Sequence, residues 1–416
     1  MQALGIVLFA LIIMLSVCLH EAGHMVTAKA FGMKVTKYFA GFGPTLWSFK
    51  KGETEYGLKA IPLGGFVKIV GMTPQDDDSA PGEESRAMWR FPVWKRTIVM
   101  SAGSVTHFIL GFVLLWIAFA FIGMPNPVLT KIESDPNTAP AYIAVQQCAV
   151  VASDRTNCQP GDPASPAKVA GLKDGDKIVA VNGTSVNNFG ELVTQVRGIK
   201  PGPATVSYVR DGQQSQVSVD LASVMRTPLD DPKAAAVQTS ALGIAGSLPP
   251  GVPTEVTYGP VRGISHAGSY YGGMFGQIGT SLKSLPGKVP GLWSALSGKP
   301  RDPNGPISVV GASEIGGQSL KLGLWNLFFV IAASLNLFIG VFNLLPLLPL
   351  DGGHIAIAWF ERIRSWFARR RHRPDPGRVD YFKLMPITYA VIVVFGGFSL
   401  LTILADIVNP INIIGK

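Results

Sequence analysis

The sequence predicts a polytopic α-helical membrane protein. It has four transmembrane helices, a β-hairpin or sheet associated with the membrane on its cytoplasmic side, and an extracytoplasmic α+β domain. Three observations carry this. The 416-residue chain is 47% hydrophobic and only 15% charged, whereas a soluble domain carries about 25% charged residues. Four apolar runs, at 4–30, 98–122, 322–350 and 384–408, reach the roughly 20 residues needed to cross a bilayer. The charge is also unevenly placed. From Lys29 to Arg96 lie 11 Lys and Arg, and from Arg362 to Lys383 lie 8 in 22 residues, whereas Lys131 to Lys288 holds 13 over a much longer stretch. By the positive-inside rule the two short basic segments are cytoplasmic, which puts both termini and segment 123–321 outside. The net charge of +9 thus reads as topology and lipid contact. No aromatic-basic stripe points to nucleic acid.

The first run competes with a cleaved signal peptide, and Ala28-Lys29-Ala30 mimics a cleavage site. Yet no Lys or Arg precedes it, and ionisable residues sit where a signal peptide stays apolar. It reads as a retained span. Residues 34–72 are rich in Gly and aromatics and alternate from Glu55 to Ile61, which predicts short strands and tight turns. Residues 73–86 form an acidic polar loop, expected to be mobile. "WRFPVWKR", 89–96, supplies interfacial Trp and cations ahead of the second run.

In the outside segment, 165–186 combines a helical turn, a Gly-bounded loop and an apolar strand. "ELVTQVRG" adds a short helix, and 204–221 adds two strands about an Asp-Gly turn. One compact β-rich domain over 127–225 is expected, followed by a Pro/Ala/Gly-rich linker at 226–262. Residues 266–297 predict amphipathic helices broken at Pro286, lying on the outer surface or docked on the protein itself. Cys148 and Cys158 share this segment and are a candidate disulfide, while Cys18 lies in the first span.

The chemistry sits in "HEAGH". His20 and His24, at i and i+4, share one helix face and can grip one metal, and Glu21 beside them can polarise a metal-held water. Ionisable groups inside a span are costly and mark function. The plainer alternative is two buried histidines bonded to a neighbouring helix. A catalytic zinc wants three protein ligands and one open position. The third must come from elsewhere, and "FNLLPLLPLDGGH", 342–354, offers Asp351 and His354 at a matching depth, after Pro346 and Pro349 interrupt the helix. The spacing alone does not choose between them.

These paired motifs, His-Glu-x-x-His in the first span and Asn-x-x-Pro with Leu-Asp-Gly in the third, resemble the site-2 protease family of intramembrane zinc metalloproteases. The layout resembles the bacterial regulator-of-sigma-E protease type over nearly the whole chain. Ala170-Gly171-Leu172 followed by Gly175-Asp176 and Ile178 resembles a PDZ domain over about 60 residues, a module that takes extended peptides at a sheet edge. The resemblance implies one Zn2+, with Asp351 as third ligand beside His20 and His24, Glu21 as general base and His354 outside the ligand set. It implies that Asn343 contacts substrate backbone. It also implies that Gly41 and Gly43 of "AGFGP" and Gly64 and Gly65 of "PLGGFVK" belong to a hairpin that pairs with an unwound substrate. One departure stands out: where the family has Gly-Pro-x-x-Asn at the second span, this chain has Ser104 and His107. His107 is expected to bond in place of that Asn without becoming a ligand.

The activity so implied is cleavage of membrane-spanning segments in single-pass, anti-sigma-factor-like proteins during regulated intramembrane proteolysis in stress signalling. The enzyme would sit in a bacterial plasma membrane with its active site near the cytoplasmic face. A metal transporter would need polar ligands through the whole bilayer depth, but these cluster near one face. A silent PDZ-bearing scaffold would not need Glu21.

Overall fold

The computed structural model describes residues 1–72, 84–152, 158–229, 231, 234–299, 301–302 and 305–413. In chain order the elements begin with α1 (Gln2–Ala30), β1 (Val35–Lys51), β2 (Thr54–Ile69), α2 (Val93–Ile117) and a π-helical turn (Ala118–Ile122). Next come β3 (Met124–Pro125), α3 (Pro127–Ser134), β4 (Ile143–Val145), α4 (Pro166–Val169), β5 (Lys177–Val181), β6 (Thr184–Ser185) and α5 (Phe189–Gly198). The sheet continues with β7 (Gly202–Arg210), β8 (Gln213–Arg226), β9 (Val237–Ala241), β10 (Ile244–Gly246) and β11 (Glu255–Val256). The chain closes with α6 (Gly259–Leu296), α7 (Val309–Lys321), α8 (Trp325–Asn343), α9 (Asp351–Arg370) and α10 (Tyr381–Val408). They divide into two units, Gly123–Thr257 and the flanking segments Met1–Ile122 with Tyr258–Ile414.

In the flanking unit, α1, α2 with its π-turn, α8 and α10 are the four helices among the described residues long and apolar enough to cross a membrane. Within hydrocarbon, close backbone approach replaces the hydrophobic drive as the source of packing energy. α1 also meets α7, which is not one of the four spanning helices, glycine to glycine. A Cβ on Gly5 would lie 2.8 Å from Gly317 Cα. On the other side, a Cβ on Gly23 would lie 2.7 Å from the Ala102 carbonyl of α2.

Three expectations change here. The third span stops at Asn343 instead of reaching residue 350, because two prolines three residues apart, Pro346 and Pro349, each remove a backbone donor and crowd the preceding turn. The short basic segment that begins at Arg362, expected to join the third and fourth runs as a cytoplasmic loop, is helical as far as Arg370, in α9. The strands after α1 are long: β1 and β2 form one antiparallel hairpin with several register shifts, and Ala40 pairs with Gly65. Of the acidic loop, 73–83 lies outside the described residues, and Glu84–Arg86 is a single 3-10 turn.

The expected surface helices also differ. α6 is continuous through Pro286 and Pro290. It docks through Gly263, Ala267, Tyr271 and Met274, spaced three or four residues apart, and the Tyr271 hydroxyl donates to the Phe108 carbonyl at 3.0 Å. α7, which lies where surface segment was expected, packs on α1, and Gln2 Nε2 donates to Glu314 Oε1 at 2.6 Å.

The second unit has a five-stranded antiparallel sheet in the order β6-β5-β7-β8-β9. Alternate residues of its strands, such as Ile178, Val206, Val219 and Leu221, join Leu192 of α5 in one buried core. β7 and β8 are joined by Asp211 and Gly212, both at positive φ (52° and 78°), as a two-residue hairpin turn requires. The stretch expected as linker after residue 225 instead supplies β9, β10 and β11, and β9 pairs with β8. Cys148 and Cys158 are disulfide-bonded.

Candidate metal centre

Helix α1 runs from the first apolar residues through "HEAGH" without a break, so His20 and His24 stack one turn apart on a buried face, 7% and 4% exposed. Their Nε2 atoms lie 3.1 Å apart. Asp351 Oδ2 lies 3.2 Å from His20 Nε2 and 3.3 Å from His24 Nε2. Zinc ligands sit at about 2.0–2.2 Å, so a tetrahedral set has neighbouring donors roughly 3.3–3.5 Å apart. The triangle found here is close to that size.

Its chemistry fits as well. His24 Nδ1 donates to the Val99 carbonyl at 2.7 Å, which leaves Nε2 with a bare lone pair aimed at the other two donors. Asp351 Oδ2 is buried with no hydrogen-bond partner, and so is His20 Nδ1. A buried carboxylate oxygen facing the bare Nε2 lone pair of His24 is repulsive unless a cation or a proton lies between them.

Asp351 arrives through an interruption. After α8 ends, the chain turns through Leu344 to Leu350 and α9 opens on Asp351 itself, where the helix dipole favours negative charge. Gly352 is required there, since a Cβ would come within 2.3 Å of the Leu344 and Leu345 carbonyls. His354, the other candidate, lies away from the cluster, its ring against Tyr381 with centroids 5.9 Å apart.

The neighbourhood is shaped by α2 and β2. Gly103 lies against the imidazoles: a Cβ there would lie 2.5 Å from both His20 Cε1 and His24 Nε2. Glu21 Oε2 accepts from the Val67 N–H at 3.0 Å. Gly65 is adjacent, since its Cβ would meet the Phe39 carbonyl at 3.0 Å and Glu21 Cγ at 3.4 Å. Gly41, Gly43 and Gly64, at φ 87°, 83° and 137°, lie in the same hairpin, where side chains would strain the backbone. Asn343 is the last residue of α8, partly buried. His107 is buried on α2, its ring 5.1 Å from that of His20, and its Nδ1 lies 3.0 Å from Asn336 Oδ1.

The model of peptidase family M50 matches residues 8–384. The chain belongs to peptidase family M50. Among relatives, this M50 chain is 42% identical to the zinc metalloprotease Rip1 of Mycolicibacterium smegmatis over 99% of each chain. It is also 42% identical to that of Mycobacterium tuberculosis over 98% of each. The putative zinc metalloprotease Atu1380 of Agrobacterium fabrum is 31% identical over 86% of this chain and 87% of its own.

Three members of this M50 site were not anticipated from the sequence: the Val99 carbonyl, the Val67 amide and the bare surface of Gly103. The first two are backbone groups, which no residue type announces. The third was legible only as an unremarked glycine in "SAGSVTHF".

Proposed function

We propose that this chain is a zinc-dependent endopeptidase that cleaves membrane-spanning segments of single-pass, anti-sigma-factor-like proteins in regulated intramembrane proteolysis. The observation that carries the reading is the triangle of His20 Nε2, His24 Nε2 and Asp351 Oδ2, with sides of 3.1, 3.2 and 3.3 Å, on the helix that also carries Glu21. His20, His24 and Asp351 would hold the zinc, which when bound would supply Lewis acidity toward water and the scissile carbonyl. Glu21 accepts the proton of the attacking water and returns it to the leaving amine.

A helical substrate must first unwind, because its carbonyls are already bonded. Strand β2, tied to Glu21 through Val67, offers an edge for that extended segment, with Gly64 and Gly65 keeping it free of side chains and Gly41 and Gly43 shaping its partner strand. Asn343 holds substrate backbone. The basic segments on one side of the spans support an active site near the cytoplasmic face, with both termini and the unit Gly123–Thr257 outside. That unit acts as a PDZ domain that excludes intact ectodomains or takes a peptide end.

Glu21→Gln in proteoliposomes, with zinc content measured beside cleavage of a membrane substrate, is the test. Expected are retained zinc and cleavage reduced about 10²–10⁴-fold. Unchanged cleavage removes Glu21 from the mechanism.

A further inference from the structure

Helix α9 opens on Asp351 and then exposes a face that the metal site does not use. Trp359, Phe360, Ile363, Trp366 and Phe367 are 46%, 55%, 50%, 44% and 49% exposed. At about 100° per residue they fall on one stripe, and Arg362 and Arg369 flank it on one side and Arg364 on the other. The opposite face is the docked one. Ala358 and Ala368 are buried there, and Glu361 Oε2 pairs with Arg96 Nη1 at 3.2 Å, both side chains only 12% exposed. Several arginines lie over aromatic rings of this region: the guanidinium carbons of Arg370, Arg364 and Arg378 are 4.2, 5.6 and 3.8 Å from the ring centres of Trp366, Phe360 and Trp89.

We propose that α9 is an in-plane anchor that binds anionic phospholipid, and that this contact holds Asp351 in register with His20 and His24. Three observations select a lipid surface. α9 joins two spanning helices, α8 and α10, yet carries too many charges to cross, so it is confined to the membrane boundary. Its stripe is aromatic and aliphatic as far as Phe367 and cationic along both edges and at its C-terminal end, the pattern of an interfacial helix. From Arg362 to Lys383 the chain has 8 Lys and Arg against 2 Asp, a surplus complementary to acidic headgroups. The consequence for Asp351 rests on the metal-site reading above. The lipid contact does not.

The test uses the full chain in nanodiscs of phosphatidylcholine alone or mixed with phosphatidylglycerol, comparing wild type with R362Q/R369Q/R370Q. Amide exchange over α9 and zinc affinity by chelator competition are both read. In the mixed discs, wild-type α9 should exchange more slowly and zinc bind several-fold tighter. The variant should show neither change, its α9 exchange and zinc affinity in the mixed discs matching those in phosphatidylcholine alone. Protection independent of headgroup charge overturns the proposal, as does protection that follows protein density (a second copy on the stripe), or headgroup-dependent protection without a change in zinc affinity. Absence of zinc in every lipid would overturn the metal site, while the exchange data would still decide the lipid contact.

Discussion

Glu21 Oε2 and the backbone N–H of Val67 are joined by a 3.0 Å hydrogen bond, so the carboxylate beside the two imidazoles is fixed by the strand expected to receive substrate. The proposed base and the proposed substrate platform are therefore tied directly together, α1 to β2. A change in either should move the other.

Gly65→Val tests this coupling. The added side chain meets the Phe39 carbonyl and Glu21 Cγ, so β2 must shift away. Cleavage should fall at least about tenfold with zinc content unchanged, given how steeply catalysis depends on placement. Equal loss of zinc would assign Gly65 to metal-site packing instead.

Gly103→Ala should do the reverse. Its Cβ would lie 2.5 Å from His20 Cε1 and His24 Nε2. No real Cβ contact is that short, so the imidazoles or α2 must give way. Zinc affinity should drop, measured by competition with a chelator, while a helical circular-dichroism spectrum persists. Affinity equal to wild type would show that α2 relaxes freely.

His107 and Asn336 are both buried, and Asn336 Nδ2 donates to the Ala332 carbonyl, so Asn336 Oδ1 is the acceptor and His107 Nδ1 the donor. His107→Ala leaves that oxygen unpaired and should destabilise by about 1–3 kcal/mol, seen as a lower midpoint in detergent. His107→Asn should recover most of the loss. A fully stable Ala variant would count against a structural bond here.

Arg86 donates to both carboxylate oxygens of Glu53, at 2.6 and 2.7 Å, and these hydrogen bonds hold the Glu53 carboxyl below the usual carboxylate range. A lowered folded value means the pair contributes above the unfolded value, about 4.3, and is lost as pH falls through the folded one. Both side chains are over a third exposed, so the contribution is under about 1 kcal/mol. The midpoint advantage of wild type over Glu53→Gln should shrink on acidification. A constant difference would refute the assignment.

The disulfide between Cys148 and Cys158 spans 10 residues of sequence, for which loop closure gives about 2–3 kcal/mol. Alkylation of unreduced protein should leave both residues unmodified. Modification of both without reductant would exclude the bond.

By itself the sequence determined the spans, because apolar length is a one-dimensional property, and it determined the His-Glu-x-x-His face, because i and i+4 converge within a single helix. It also marked Asp351 through a motif, although composition and spacing left His354 equal. Only the tertiary structure shows which of the two side chains lies beside the imidazoles. The turn from Leu344 to Leu350 brings the first residue of α9 to the imidazoles and directs His354 toward Tyr381. The same holds for the Val67 amide, the Val99 carbonyl and the strands after residue 225. Their roles depend on which backbone meets which across the chain, and side-chain pattern does not encode that.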